Sequence, residues 1–434
     1  MTMLATVALT LAAGTAPASS PNPGWDAEWP SKESWCLTDH VQLTSERMFL
    51  KAGESYFSPD GNMIIFQGTP RPTGDEPAER YYGMYVAPVA RDGDGTITGL
   101  GTPTLLSEPG SSNTCGWFHP TDFTPLRAYT VLFGTTTTPP NEEGASGYQR
   151  GTSRYTWQFP NEMEIVTRSV RIDTIGGSGS GSYFFGGEQT VNGVCAHPLG
   201  DNTALWSRDG YDAEASWSPD GRHILYTRLK PGGDDGDLWI YDTVTETHTE
   251  LIAEPGYDGG PFFSPDGTRI CYRSDRRGDK ALQLYISELA FDNSGKVIGI
   301  AREIPITDND HVNWAPFFTP DGSMLFYATS EISHGNYEVF AIDATGDQKP
   351  EDRAHVRITD ARGFDGLPVF TPDGEWMMWT AQRGAQVEGE ARPSSQLWAA
   401  RIDLDAVKAR MNAEKRRIED RKLEEGFGEY MPGS

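Results

Sequence analysis

Basic residues are scarce in this 434-residue chain: 36 Lys and Arg stand against 62 Asp and Glu, a formal net charge of −26. A surface that negative repels phosphate backbones and anionic lipid, which argues against nucleic acid as a partner. Cysteine is scarcer still. Its four copies, Cys36, Cys115, Cys195 and Cys271, are too few for a disulfide scaffold, and no two lie close enough for a zinc-ligand spacing. They fit either four free thiols or one or two bridges in an oxidising compartment, with Cys115 and Cys195 the pair to expect if a bridge forms. No stretch after the N-terminus approaches the roughly 18 apolar residues of a membrane span, so no transmembrane span is expected. Catalytic signatures are missing too: there is no His-Glu-x-x-His, no Gly-x-Ser-x-Gly and no Gly-x-x-x-x-Gly-Lys. Asp92-Gly93-Asp94-Gly95 and Asp234-Asp235-Gly236-Asp237 lack the closing Glu of a calcium loop and read as hairpin turns. The eight histidines are scattered over different units, and only His311 and His334, in one unit, are expected to be able to meet, which without a third ligand is weak evidence for a metal.

Turn formers, by contrast, are abundant. With 48 Gly and 30 Pro the chain must turn often, which favours many short strands and an all-β fold. Residues 1–18 read as a signal peptide, with an apolar run from Leu4 to Ala13 and an Ala16-Pro17-Ala18 cleavage site, although no Lys or Arg precedes the run. The expectation is export to the periplasm or the extracellular space, with residues 19–40 forming an N-terminal extension.

The dominant feature is an internal repeat. Phe57-Ser58-Pro59-Asp60-Gly61 recurs as Trp217-Ser218-Pro219-Asp220-Gly221, Phe263-Ser264-Pro265-Asp266-Gly267, Phe318-Thr319-Pro320-Asp321-Gly322 and Phe370-Thr371-Pro372-Asp373-Gly374, with Phe118-His119-Pro120-Thr121-Asp122 as a degenerate copy. An aromatic residue precedes every proline by two positions. A second one follows by seven in five units (Phe66, Tyr226, Tyr272, Tyr327, Trp379), and Phe133 takes the role in the second unit. A large ring at one fixed place per unit suits packing between radially repeated sheets. Each unit supplies four strands around a Pro-Asp-Gly turn, so residues 41–402 predict a six-bladed β-propeller with four-stranded antiparallel blades. The phase of the repeat places Val41 to Thr44 as a fourth strand, and the last unit supplies three strands ending near Ile402. The N-terminal strand is therefore expected to close the last blade. Residues 403–434, rich in Ala, Glu, Lys and Arg, predict a short solvated C-terminal helix outside the propeller.

These repeats resemble the WD-type repeats of TolB-like periplasmic propellers, in which a Ser/Thr-Pro-Asp-Gly turn recurs once per blade. The resemblance covers residues 41–402 and is closest to bacterial TolB-like proteins of unassigned activity, in stretches such as Gly256 to Gly267, Asn113-Thr114-Cys115 and Tyr155-Thr156-Trp157. It implies the fold and a bacterial cell-envelope setting, and it implies activity only weakly, because propellers host unrelated functions. The first blade begins soon after the cleavage site and leaves no room for the N-terminal α/β domain of TolB, so a role in the Tol system is not carried over.

Alignment on the prolines exposes a polar column seven residues earlier: Ala52, Asn113, Asp212, Asp258, Asn313 and Asp365. It enters the innermost strand of each blade and should ring one mouth of the central channel. With Glu54 and Glu214, five residues before their prolines, it could hold a divalent cation such as calcium or a cationic ligand. Asn and Asp at such places also cap turns through their own backbone. Tyr211, Tyr257 and Phe364 stand one residue earlier, to prop the loops or line the mouth. The loops on the same face carry the opposite charge: Arg71, Arg80, Arg150, Arg154, Arg228, Arg273, Arg276, Arg277, His334, Arg383 and Arg392. Such arginines either bind a carboxylate-bearing partner or pair with the neighbouring acids. The longest loops, Thr135 to Pro160 and Ile172 to Val194, both belong to the second unit, where recognition loops on a rigid scaffold are expected.

Two functions fit. One is a non-catalytic binding or scaffold module that recognises a protein or small ligand, such as a peptide or an acidic sugar, at the channel mouth. The other is a propeller lyase or hydrolase with acid, base and cation gathered there. The absence of a catalytic signature favours binding.

Overall fold

The repeated turn is built the same way in five blades. The hydroxyl before the proline donates to the Asp carboxylate two residues on, from Ser58 to Asp60 at 2.6 Å, Ser218 to Asp220 at 2.6 Å, Ser264 to Asp266 at 2.5 Å, Thr319 to Asp321 at 2.7 Å and Thr371 to Asp373 at 2.5 Å. The glycine that follows sits in the left-handed region, φ 67° to 76°, which a side chain would strain. It also faces the proline of the preceding blade: a Cβ on Gly267 would lie 3.4 Å from Pro219, and one on Gly374 3.3 Å from Pro320. The turns thus form a belt around one face of the molecule. The degenerate second unit interrupts it, and Gly221 meets the His119 ring instead.

The computed structural model describes residues 27–428 apart from 75, 123–127, 142–146, 150–153, 157–159, 175–183, 186–187, 190–193, 232, 234 and 387–390. Strand pairing makes the protein a six-bladed, all-β propeller of antiparallel blades. The innermost strands are Phe49–Phe57, Asn113–Phe118, Tyr211–Trp217, Asp258–Phe263, Asn313–Phe318 and Asp365–Phe370, and each touches the next around a central channel. Blade 1 has its outermost strand in two pieces, Ile97–Leu100 and Thr104–Leu105. Blade 6 is completed by the N-terminal strand, as expected from the repeat phase. That strand begins earlier than expected, at Leu37, and runs to Gln42 with Leu37 opposite Ile402 and Gln42 opposite Trp398. Thr44 continues the contact by accepting the Leu397 N–H on its hydroxyl at 2.8 Å. Ser107, Thr307 and Thr359 do the same for the third strands of blades 1, 4 and 5.

The aromatic column after the prolines forms the core between strands. Phe66, Phe133, Tyr226, Tyr272, Tyr327 and Trp379 are all essentially inaccessible. The column before the prolines reaches across blade boundaries, with Phe370 edge-on to Phe326 at 4.9 Å and Trp217 edge-on to His119 at 4.7 Å.

Two expectations are corrected. The C-terminal helix is neither short nor solvated all round: it spans 25 residues, Leu404–Gly428, and buries Val407, Met411 and Ile418 against blades 5 and 6. These residues share a face at spacings of four and seven. Beside that face Lys408, Lys415 and Lys422 reach Asp321, Asp343 and Asp352 at 2.8, 2.8 and 2.6 Å. The Cys115–Cys195 pairing is also overturned. Cys115 is a free thiol on the innermost strand of blade 2, as are Cys36 and Cys271 in their own strands and turns. Cys195 lies on the outermost strand of the same blade. Three strand spacings of roughly 5 Å separate them, well beyond disulfide reach. Residues 1–18 and much of the two long blade 2 loops lie outside the described residues. Among the described residues no helix is long and apolar enough to cross a membrane.

Candidate functional site

The polar column seven residues before the prolines and the basic loops neutralise each other. In blade 3, Arg228 donates to both oxygens of Asp212 at 2.9 and 3.1 Å, while Arg208 and the Trp206 indole take Oδ2 at 2.9 and 2.8 Å. In blade 4, Arg276 bridges Asp258 at 3.1 Å and Glu303 at 2.8 Å and lies over the Tyr285 ring. In blade 6, Arg383 and the Trp379 indole hold Asp365, at 2.5 and 3.1 Å. Where the column carries Asn, the amide donates instead: Asn113 to the Tyr82 carbonyl at 2.7 Å, and Asn313 to Asn309 at 2.9 Å and Gln283 at 3.2 Å. Each residue of the column is thus held within its own blade or to the preceding one. His334 is exposed at the rim of blade 5, 5.8 Å from the Tyr337 ring. Among the described residues no three His, Cys, Asp or Glu side chains are placed to share a metal ion.

Burial and ion pairing pull these carboxylates in opposite directions. Burial pushes Asp258 up to about 6, against the hydrogen bonds of Ser274 and Arg276. Glu33, in the N-terminal helix Trp29–Glu33, is also raised by burial, but Arg383 and hydrogen bonds from His40 and the Asp360 N–H outweigh it and hold the carboxyl at about 2. Arg383 contacts both Glu33 oxygens at 2.9 Å. It therefore sits between two buried carboxylates, 4.3 Å from the Trp29 ring. Nothing in the sequence singles out Glu33, which stands outside the repeat and finds its partner 350 residues away in the chain.

Five residues before each proline the innermost strand carries a bulge, and the residue there is left-handed in all six blades: Glu54 (φ 42°), Cys115 (46°), Glu214 (55°), Gly260 (58°), Ala315 (53°) and Leu367 (58°). Adjacent members meet across blade junctions. The Cys115 thiol donates to Glu54 Oε1 at 2.7 Å, and the Gly260 N–H donates to Glu214 Oε2 at 2.6 Å. Glu214 also accepts from Tyr257 at 2.6 Å, Thr227 at 3.0 Å and the Arg273 guanidinium at 3.0 Å. A Cβ on Gly260 would fall 1.8 Å from Arg273 Nη1, so glycine at this place lets the arginine reach Glu214. Burial raises the Glu54 carboxyl above its ordinary range, and burial together with Glu54 pushes the Cys115 thiol well up. The thiol is a neutral donor and a poor nucleophile.

Toward the turn face, three residues before the prolines, Tyr56, Trp117, Phe262 and Phe317 stack with centroids 4.9 to 6.5 Å apart and fill the axis. Toward the other face an apolar rim joins Tyr211, Tyr257, Leu229 and Leu282 with Val312 and Trp314, and Phe364 extends it at 5.8 Å from Trp314. Trp314 takes a place that the other five blades give to Gly53, Thr114, Ala213, Gly259 and Gly366. Cys115 and Trp314 break the repeat rather than follow it, and that departure is the signal by which sequence reading could have found them.

The strand pairing defines the class: a six-bladed β-propeller with a polar floor, an aromatic plug and an aromatic rim at one channel mouth. No family model matches the chain. Among solved structures it is similar to a TolB-type protein of Agrobacterium tumefaciens (15% identity, 81% of this chain and 90% of that one, TM-score 0.44). It is also similar to TolB of Acinetobacter baumannii (16%, 80% of this chain and 65% of that one, TM-score 0.43) and to a luciferin-regenerating enzyme (11%, 84% and 95%, TM-score 0.46). At this level of similarity the matches bear on neither activity nor partner.

Proposed function

We propose that this protein is a non-catalytic binding propeller, exported to the periplasm or the extracellular space, that recognises a small ligand or a segment of a partner protein at the rimmed channel mouth. The observation that carries this reading is the left-handed ring. Five of its six residues are not glycine, and each such conformation costs about 1–3 kcal/mol. Glycine would meet the backbone requirement in every blade, as Gly260 does, so the fold alone does not call for Glu54, Cys115 and Glu214. Three of these five residues, Glu54, Cys115 and Glu214, bring polar side chains to the channel, which supports recognition there.

The test is a thermal-shift and tryptophan-fluorescence screen of peptides, acidic sugars and amines on the full chain. A ligand of the mouth should lose its response in Trp314→Ala while cooperative melting persists. A response that survives both Trp314→Ala and Tyr257→Phe would move recognition to the blade 2 loops. The lyase or hydrolase reading draws on the buried setting of Glu54, which raises its carboxyl in the direction that suits a general acid.

A further inference from the structure

We infer that the channel mouth binds a ligand's ammonium group at Glu54, beneath the aromatic rim. This rests on the proposed binding role and names the chemistry of its ligand.

Among the described residues, Glu54 makes no direct ion pair, and the charges that act on it from the neighbouring blades are the Glu214 carboxylate and the Arg273 guanidinium, which is itself bound to Glu214. Asp212 has Arg208 and Arg228, Glu214 has Arg273, Asp258 has Arg276, and Asp365 and Glu33 share Arg383. Glu54 accepts from the Cys115 thiol and from the Tyr56 hydroxyl at 3.2 Å, both neutral donors. Blade 1 also has Ala52 where three other blades have an arginine-bound Asp. Along the axis, Glu54, Thr114, Trp314 and Leu367 stay half-buried. The site already accommodates one cation against an aromatic face, since the Arg273 guanidinium lies 5.6 Å from the Tyr257 ring centroid. A net charge of −26 draws cations toward the protein at long range.

The chemistry balances as an exchange of cations. An ammonium ion that meets the Glu54 carboxyl in its protonated form leaves an ammonium–carboxylate pair, and the carboxyl proton passes to the buffer. Binding should therefore release up to one proton per ligand at pH values below the raised pKa of Glu54.

The experiment is calorimetric titration of the full chain with n-pentylammonium in buffers of different ionisation enthalpy, with 1-pentanol as the neutral isostere. Binding with proton release is expected for wild type. Glu54→Gln, shown to be folded by its melting transition, should abolish the release and weaken binding by about tenfold, the scale of a lost charge-assisted hydrogen bond. Failure of n-pentylammonium to bind, binding without proton release, or equal binding to Glu54→Gln would each overturn the inference. If 1-pentanol or a neutral peptide binds in a Trp314-dependent way while n-pentylammonium does not, the cationic assignment fails and the binding role stands. If every probe that binds is indifferent to Trp314→Ala, the mouth itself is wrong.

Discussion

Glu54 and Glu214 occupy the same place in blades 1 and 3, in the same left-handed backbone conformation, yet they end with different partners. Glu214 collects four donors, one of them the Arg273 guanidinium from the next blade. Glu54 receives a thiol and a phenol, and burial raises its carboxyl above the ordinary range. The cause is the neighbour. Blade 4 presents Gly260 beside Arg273, and the missing Cβ admits the guanidinium, whereas blade 2 presents Cys115. One repeat position thus yields an ion pair on one side of the channel and, on the other, a carboxyl held only by neutral donors.

The contrast can be broken most forcefully from the arginine side. Arg273→Met leaves Glu214 buried without its cation and should cost about 3–5 kcal/mol in urea unfolding, with much of the loss recovered by adding Glu214→Gln. A loss under 1 kcal/mol would mean that the neutral donors suffice and that Arg273 is dispensable. The next effect is the acid limb of stability. Glu33 is depressed to about 2, so its contribution is complete above its ordinary 4.5 and disappears as pH falls through about 2. That amounts to about 3 kcal/mol, and Glu33→Gln should flatten the limb in pH-dependent unfolding.

Asp258 sharpens the comparison with the opposite sign. Its carboxyl is raised from 3.8 to about 6, so its contribution is fully present below 3.8 and declines as pH rises through about 6. Asp258→Asn should remove a slope worth about 2–3 kcal/mol over that window. Glu54→Gln in the absence of ligand should change stability by less than about 1 kcal/mol, because an amide keeps the acceptor oxygen that Cys115 and Tyr56 address. The smallest effect concerns the cation. Arginines already face Asp212, Asp258 and Asp365, so chelator should leave the melting temperature unmoved; a fall reversed by calcium would give that ring a metal.

The blade count and the closure by residues near 41 could be read from the chain because five near-identical turns fix the period and its phase. The acid column and the basic loops were equally visible, but as separate features. What joins Asp212 to Arg228 is the antiparallel register of a hairpin, which sets them opposite each other. The ring five residues before the prolines was half visible, through Glu54 and Glu214, because its members share a backbone conformation rather than a side-chain chemistry. The docked face of the C-terminal helix was hidden by its charge: three apolar residues among many Lys, Arg and Glu give little amphipathic signal, and the lysines that looked solvent-bound are ion-paired to the blades.

The shared sixth blade sets a limit on how this molecule can be made. The Thr44 hydroxyl meets the Leu397 amide across 353 residues of chain, and closing a loop of that length costs about 5 kcal/mol of chain entropy. At about 5–20 residues per second, a ribosome needs roughly 20–70 s to synthesise the intervening chain. For that interval the first blade has an open flank and the first strand has no sheet to join. Ring closure is therefore a late, single docking event that the five earlier blades must await, and it is the step at which a partly built propeller is most exposed to pairing with another copy of itself.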